Sequence, residues 1–293
     1  MKIIAVDIGG TSIKAGEVID GVLVSSTEYD TGAKSGGESV MLRVKDIIAG
    51  YSGFEAVGIS TAGQVDSLRG CISFANENIP GYTGMQVKNI MEQHFKVPVA
   101  VENDVNCAAL GEAHYGAGRG LKDFICLAFG TGIGGAVVID RKIYAGSTFS
   151  AAEFGHIITH AGGRHCNCGL SGCYEQYAST GALVAAAAEL NPALSNGRII
   201  FEHMGDPGVQ EIVDQWIREI IYGLVTIIHI FNPADIILGG GIMNENYIAG
   251  RIKDSIKDNI MPSYAGVAIR QASLGNRAGM LGAAYLASRT LSP

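Results

Sequence analysis

Apolar residues fill the run KIIAVD at residues 2–7, then give way to Ile8-Gly9-Gly10-Thr11. A short apolar run closed by a glycine turn predicts a buried strand. Two further strands are expected, Ser12–Ile19 and 22–27, parted by Gly21, so the chain opens as a three-strand meander. The period then changes. Val40, Val44, Ile47 and Ile48 recur at helical spacing and predict a helix over 39–50. A strand follows at 56–60 and runs into Thr61-Ala62-Gly63-Gln64-Val65-Asp66. An amphipathic helix, Val87–Phe95, precedes a strand at 97–101 whose end carries Glu102-Asn103-Asp104. A helix through 108–114 closes this half.

The second half repeats the device. After a glycine-rich joint at 116–120, read as the crossing between two lobes, an apolar strand at 123–129 ends in Gly130-Thr131-Gly132-Ile133-Gly134-Gly135. A strand at 136–139 follows, then an Ala-rich helix, Thr180–Leu190. The strongest periodicity is at 209–231, apolar at 209, 212, 213, 216, 217, 220, 221, 224, 225, 228 and 231, and stopped by Pro233. Trp216 lies on that stripe and reads as core. A strand at 235–238 runs into Gly239-Gly240-Gly241, and a helix at 247–260, a strand at 268–272 and a helix at 279–288 finish the chain. Strands alternating with helices predict an α/β layered fold, and the repeated opening suggests two lobes with a cleft between them.

Composition narrows the class. A chain of 293 residues is long enough for two lobes, and 47% hydrophobic against 17% charged residues is globular rather than disordered. The net charge of −7, without a run of Lys or Arg, argues against a nucleic-acid face and an anionic membrane surface. The start lacks a long apolar signal region, and the apolar stretch 220–231 is too short to span a bilayer. Six Cys without an export signal then indicate reduced thiols in a cytoplasmic protein.

Three of those Cys fall close together. Cys166, Cys168 and Cys173 share a short glycine-rich stretch with His156, His160 and His165, bracketed by Glu153 and Glu175. Three thiolates and one imidazole suit a closed tetrahedral zinc site, and one residue between Cys166 and Cys168 is too few for an ordinary disulfide. Spacing leaves open which His is the fourth ligand. Cys71, Cys107 and Cys126 read as small buried hydrophobes.

Three glycine turns, at 8–11, 130–135 and 239–241, each follow an apolar strand. Ligands gather at the carboxyl ends of strands in α/β sheets, and backbone N–H groups freed of Cβ can approach phosphate. None of the turns fits GxxxxGK[ST] or a GxGxxG dinucleotide fingerprint, so a hairpin-type phosphate grip is expected. Asp7 and Asp104 also follow apolar strands. A carboxylate there can reach Mg²⁺ through water or take a proton from an attacking hydroxyl. Asn103 offers an amide to substrate hydroxyls, and Asp104 could equally cap the helix it opens.

These residues carry a resemblance to the ROK family of sugar kinases in the actin–hexokinase ATPase superfamily. DIGGT at Asp7 to Thr11 resembles the family's first phosphate motif, FGTGIGG at Phe129 to Gly135 its second, and LGGGI at Leu238 to Ile242 its adenosine-side motif. Glu102-Asn103-Asp104 resembles the catalytic segment, Glu153-Phe154-Gly155-His156 the ExGH sugar motif, and CNCGLSGCYE at Cys166 to Glu175 the zinc signature. Two departures stand out. Ser12 follows DIGGT where many members carry Lys, the nearest here being Lys14, and Thr61-Ala62-Gly63 replaces a Pro-Gly pair of glucokinase-like members.

The resemblance implies a two-lobed actin-like ATPase, or ribonuclease H-like, fold with the nucleotide in the cleft. The first lobe would span 1–116 and be completed by a helix at 280–293; the second, 117–279, would carry the zinc loop. ATP and Mg²⁺ would be held by Asp7, Gly9, Gly10, Thr11, Gly130, Thr131, Gly132, Gly134, Gly240 and Gly241. The sugar would meet Asn103, Asp104, Glu153, His156 and Glu175, with Asp104 as catalytic base. Structural Zn²⁺ would sit on His156, Cys166, Cys168 and Cys173. The expected reaction is transfer of the γ-phosphate to the 6-hydroxyl of glucose or a β-glucoside, and Tyr82 is either a rim aromatic for a second ring or simply packed in the core. N-acetylmannosamine is the alternative acceptor, and a non-catalytic sugar-sensing protein the alternative class. The regulator branch carries an extra helix-turn-helix domain, for which a phosphate motif starting at Asp7 leaves no room, and a binding module would be expected to lose Asp7 or Asp104. A homodimer is compatible with the resemblance.

Overall fold

The computed structural model describes residues 1–291, so the last two residues of the helix expected at 280–293 lie outside it. The chain folds into two compact units, one of 1–122, 138–151 and the C-terminal stretch from Asn276, the other of 123–137 and 152–275. The return of 138–151 to the first unit has no marker in the hydrophobic pattern. The joint at 116–120 lies within the first unit and is closed by hydrogen bonds. The Gly116 and Gly118 N–H groups both donate to the Glu112 carbonyl, and the Ala117 N–H donates to its carboxylate.

In the first unit, β1 (Lys2–Ile8), β2 (Ser12–Ile19) and β3 (Val22–Asp30) form the expected antiparallel meander. Helix α1 (Gly37–Ala49) leads to β4 (Ala56–Thr61), which pairs parallel to β1. A two-stranded hairpin follows, β5 (Gln64–Asp66) and β6 (Cys71–Phe74), then α2 (Val87–Phe95), β7 (Val99–Asn103) and α3 (Asp104–Tyr115). The sheet order is β3-β2-β1-β4-β7. Parallel register sets Asp7 beside Ser60 and Ser60 beside Glu102, so the three strand ends present polar groups in one row. Ile4, Val6 and Ile8 alternate along β1 and pack with Val40, Val44 and Ile48 of α1, as their spacing demands.

The second sheet starts with β8 (Phe124–Phe129), β9 (Ile133–Ile139) and β10 (Lys142–Ile143), and the second unit goes on with α4 (Glu175–Ala178), α5 (Thr180–Leu190), α6 (Gly197–Glu202) and α7 (Pro207–Phe231). Then come β11 (Asp235–Gly239), α8 (Asn246–Ile256) and β12 (Ala268–Gln271), and the sheet order is β10-β9-β8-β11-β12, with β10 on the residues that return to the first unit. Pro207 starts α7 behind the cap residue Asp206, and Asn232 ends it in the left-handed conformation just before Pro233. Its buried stripe includes Val213, Trp216, Ile220, Leu224 and Ile228, and the Trp216 indole N–H donates to the Ser179 carbonyl at 2.9 Å. Phe231, counted on the stripe by spacing, is 40% exposed, because the helix has already reached its last turn there. The helix expected over 247–260 stops at Ile256 and tightens into a 3-10 turn, Lys257–Asn259. Among the described residues no helix is long and apolar enough to cross a membrane.

The last helix, α9 (Ala278–Leu291), belongs to the first unit. It is rich in small residues because it lies backbone to backbone on its neighbours. A methyl group at Gly282 would fall on the Cys107 carbonyl of α3, and one at Gly58 of β4 on the Ala283 carbonyl. Glycine costs helix stability of about 1 kcal/mol relative to Ala, and this close packing offsets it. Gly282→Ala is therefore expected to destabilise the protein by roughly 1–3 kcal/mol despite the better helix former. An unchanged or raised Tm in thermal denaturation would remove the close-approach account.

Candidate functional site

In the first unit, Asp7 ends β1 and accepts a hydrogen bond from the Ser60 hydroxyl at 2.6 Å. Removal from water pushes the Asp7 carboxyl above its usual range, against the pull of that bond. One strand further on, Glu102 is buried, with its Oε1 accepting the Asn103 N–H at 2.8 Å and the Asn106 amide at 3.1 Å. Asn103, not Asp104, is the cap of α3: its Oδ1 accepts the N–H groups of Val105 and Asn106 at 2.9 and 3.1 Å. The same amide donates from Nδ2 to the Gly63 carbonyl at 3.0 Å and to Asp104 Oδ1 at 2.8 Å. All of its hydrogen-bonding capacity is thus used inside the chain, where the sequence suggested an amide free for substrate.

Asp104, the first residue of α3, is half-buried. Its pKa is raised to about 6, first by desolvation and then by the negative charge of Asp7, against the bonds it accepts from backbone and from Asn103. A carboxyl poised near neutrality is suited to exchanging a proton with a hydroxyl. For Tyr82 the packed alternative holds, not the rim. It is 1% exposed, with its hydroxyl 2.8 Å from Thr61 Oγ1, so it is core and presents no rim to a second sugar ring. Burial pushes its phenol up to about 12.

The first glycine turn, at the end of β1, closes with the Gly9 N–H on the Ser12 carbonyl at 2.9 Å, and the Thr31 side chain donates to the Gly9 carbonyl at 2.8 Å. A methyl at Gly10 would meet nothing within 4 Å. The same holds at Gly130 and Gly241 in the second unit, so three turns leave backbone open to a group outside the chain. Gly132 and Gly240 have a different reason. A methyl at Gly132 would lie 2.5 Å from Glu175 Oε2, and Gly240 adopts φ +104 with its α-carbon against the Phe129 backbone. Gly134 lies inside β9, which starts at Ile133, earlier than its pattern suggested.

Gly130, Thr131 and Gly241 line a cavity of about 480 Å³ in the second unit. Its apolar walls are Phe129, Val184 and Ile242, and its other wall is the start of α5 with Asn196, Arg198 and Glu245. Helix α5 enters behind its cap residue Ser179, and the Gly181 N–H donates to the Gly130 carbonyl at 3.3 Å. An apolar slot ending at glycine turns and a helix N-terminus fits a flat base with a phosphate chain. The sequence reading missed Asn196, Arg198 and Glu245, since they stand in no motif and meet only through the fold.

The Cys and His donors come together in a knuckle. The Cys166 N–H donates to the Leu170 carbonyl and the Gly169 N–H to the Cys166 carbonyl, with Gly169 and Gly172 at φ +89 and +87. One ligand atom each of His156, Cys166, Cys168 and Cys173 lies within 4.8 Å of the others. Cys168 and Cys173 sulfurs are 3.5 Å apart, and His156 Nδ1 is 3.7 Å from Cys166 Sγ. Ligands on a tetrahedral zinc with bonds of about 2.3 Å are separated by about 3.7 Å, whereas a disulfide would need about 2 Å, so the donor set fits zinc. Burial also pushes the Cys173 thiol up to about 12, so a cation is needed to hold all three sulfurs as thiolates.

Glu175 stands beside the knuckle, with Oε1 3.2 Å from Cys166 Sγ and 3.9 Å from His156 Nδ1. Its Oε2 accepts the Ile133 N–H at 3.3 Å, which ties the knuckle to the start of β9. Glu153 is exposed and precedes the 3-10 turn Phe154–His156. His160 and His165 stay outside the cluster: His160 Nε2 faces Glu219 Oε1 of α7 at 3.6 Å, and His165 bridges to Ser171.

Residues 3–290 match the model of the ROK family. A glucokinase of Thermotoga maritima is 34% identical, the alignment covering 98% of this chain and 97% of that protein. A beta-glucoside kinase of Klebsiella pneumoniae is 31% identical over 97% and 94%. The crystal structure of a ROK family glucokinase from Streptomyces griseus, in complex with glucose and AMPPNP, superposes with a TM-score of 0.84 at 34% identity, covering 99% of this chain and all of that one. The fold is that of these kinases.

Proposed function

The chain belongs to the ROK family and is an ATP-dependent carbohydrate kinase, and we propose that its acceptor is glucose, phosphorylated on the 6-hydroxyl. The observation that carries the catalytic assignment is Asp104, held by Asn103 at a strand end and poised at about 6. In this reading Asp104 takes the proton of the 6-hydroxyl as that oxygen forms a bond to the γ-phosphorus. The bond from the γ-phosphorus to the β–γ bridging oxygen breaks, and ADP leaves with the electron pair. Phosphoryl transfer needs mainly positioning and charge neutralisation. Asp7 would hold Mg²⁺ through water, and the ion would supply part of that neutralisation. Gly9, Gly10 and Thr11, with Gly130, Thr131 and Gly241, would meet the nucleotide, whereas Gly132, Gly134 and Gly240 would shape the turns.

Asn103 becomes a positioning residue in this reading, because its amide is spent on Gly63, Asp104 and the helix start. Glu153, His156 and Glu175 would bind the remaining hydroxyls. His156 turns Nδ1 to the cysteines, which leaves Nε2 for a hydroxyl. Zn²⁺ would be structural, held by His156, Cys166, Cys168 and Cys173.

Glucose is favoured over a β-glucoside because buried Tyr82 removes the aromatic argument for a second ring, and because two of the three relatives described above are glucokinases. A site of fixed acceptors punishes a lost or inverted hydroxyl, since its own polar groups are then left unpaired. Comparing kcat/KM for glucose, cellobiose, N-acetylmannosamine and fructose by ADP release is expected to rank glucose first. A clear win for N-acetylmannosamine overturns the sugar but not the reaction. Failure of every hexose to release ADP would instead favour a non-catalytic sugar-sensing protein.

A further inference from the structure

We infer that Glu102 is a positioning residue for the base Asp104, and that it works by reach rather than by charge. The inference rests on the kinase reading, in which Asp104 takes the proton of the attacking hydroxyl. Glu102 stands one residue before the end of β7 and is 5% exposed. Its Oε1 accepts the Asn103 N–H at 2.8 Å and the Asn106 amide at 3.1 Å, and the Ser67 hydroxyl bonds the same carboxylate. Asn106 is itself buried in the first turn of α3, and Ser67 directly follows β5. One side chain therefore ties together the end of a strand, the start of a helix and the hairpin connection.

The strut reaches Asp104 through Asn103. Glu102 fixes the Asn103 backbone, and the Asn103 side chain then holds Asp104 Oδ1 at 2.8 Å and the Gly63 carbonyl at 3.0 Å. A rotation at this junction would turn the base away from its place. Removing the strut would leave the Asn103 N–H and the Asn106 amide as buried donors without an acceptor. The charge of Glu102 has no comparable part. Each of its partners can donate, so an amide oxygen of the same reach serves the Asn103 and Asn106 bonds as well. Burial opposes its ionisation, and the carboxylate that raises Asp104 is Asp7.

The experiment measures kcat and KM for glucose and for ATP in Glu102→Gln, Glu102→Asp and Glu102→Ala, at a temperature where circular dichroism shows each variant folded. Glu102→Gln keeps the reach without the charge and should hold kcat within about threefold of the wild type. Glu102→Asp keeps the charge but is one methylene short of Asn106 and Ser67. It should lose roughly 10- to 100-fold in kcat, the scale of a displaced catalytic group, and Glu102→Ala at least as much. Both KM values should stay within about threefold, because the loss falls on the transition state, whereas a role in the fold alone would leave the kcat of the folded enzyme unchanged. A Gln variant that loses as much kcat as Asp assigns the role to the charge and overturns the inference. So does a Gln variant that fails to fold, wild-type kcat in all three, or a loss carried by KM. A wild type that phosphorylates no hexose sinks the kinase reading instead. Hydrogen exchange at the Asn103 amide then reads the strut without substrate: it should be faster in Asp and Ala but not in Gln, and equal exchange in all variants overturns the inference.

Discussion

Asp104→Asn is expected to lower kcat for glucose phosphorylation by at least roughly 100-fold, the usual scale for loss of a general base. The change keeps the shape of the side chain and one acceptor oxygen, so the bond from Asn103 Nδ2 can persist, but an amide takes no proton. Sugar binding, measured by calorimetry, should stay within a few-fold of the wild type. The pH profile supplies an independent check. The Asp104 pKa is raised to about 6, chiefly by burial and then by Asp7. The base works only when ionised, so kcat/KM should rise with pH through about 6 and level above it. Asp7→Asn should move the acidic limb to lower pH, because it removes a negative charge that opposes ionisation. Wild-type turnover in Asp104→Asn, or a flat profile between pH 5 and 8, would end the assignment.

The limits of the sequence reading follow from which features are local. Strand β2 and helices α2 and α5 stand at the residues their patterns gave, because each is set by its own apolar period and closed by its own turn. The Cys cluster was legible for the same reason, three Cys within eight residues, although the choice of His156 over His160 and His165 came from the resemblance, and His156 is the imidazole that stands with the three sulfurs. The hairpin β5–β6 and strand β10 went unseen, since runs of two to four residues have no period to detect. Tyr82 stood open between rim and core in the sequence, because a lone aromatic in a polar loop carries no sign of the Thr61 hydroxyl that receives it. Asn103 rather than Asp104 caps α3, because both residue types can start a helix and only the bonds to Val105 and Asn106 decide which one does. Glu245 and Asn196 reach one cavity from segments about fifty residues apart, a meeting that only the fold creates.

Removing the metal is expected to weaken sugar binding while most of the second unit stays folded. Elemental analysis should give one zinc per chain. Cys168 is exposed while Cys166 and Cys173 are fully buried, so a chelator can reach the ion from one side. Without it the knuckle holds three sulfurs and an imidazole with little apolar contact of its own, and binding free energy that would otherwise be folding free energy is lost. Between those anchors Ile158 and Leu170 are exposed, so the order of the stretch from Ile158 to Gly172 should go first. The core beyond it has separate support. Tyr174 is buried, its hydroxyl donates to the Ile220 carbonyl at 2.8 Å, and a side chain at Gly223 of α7 would collide with its ring. Thermal denaturation after chelation should therefore show an early loss confined to the knuckle, followed by cooperative melting of the rest. Sugar affinity should fall by about 10-fold or more, the scale of losing the support of binding groups around a metal. Nucleotide affinity, set at the cavity lined by Thr131 and Ile242, should fall less. Cys168→Ser should reproduce both effects without chelator, and added zinc should not rescue it fully. A chain without stoichiometric metal that keeps its sugar affinity would exclude the zinc assignment, and equal loss of sugar and nucleotide affinity would point to general unfolding rather than to the knuckle.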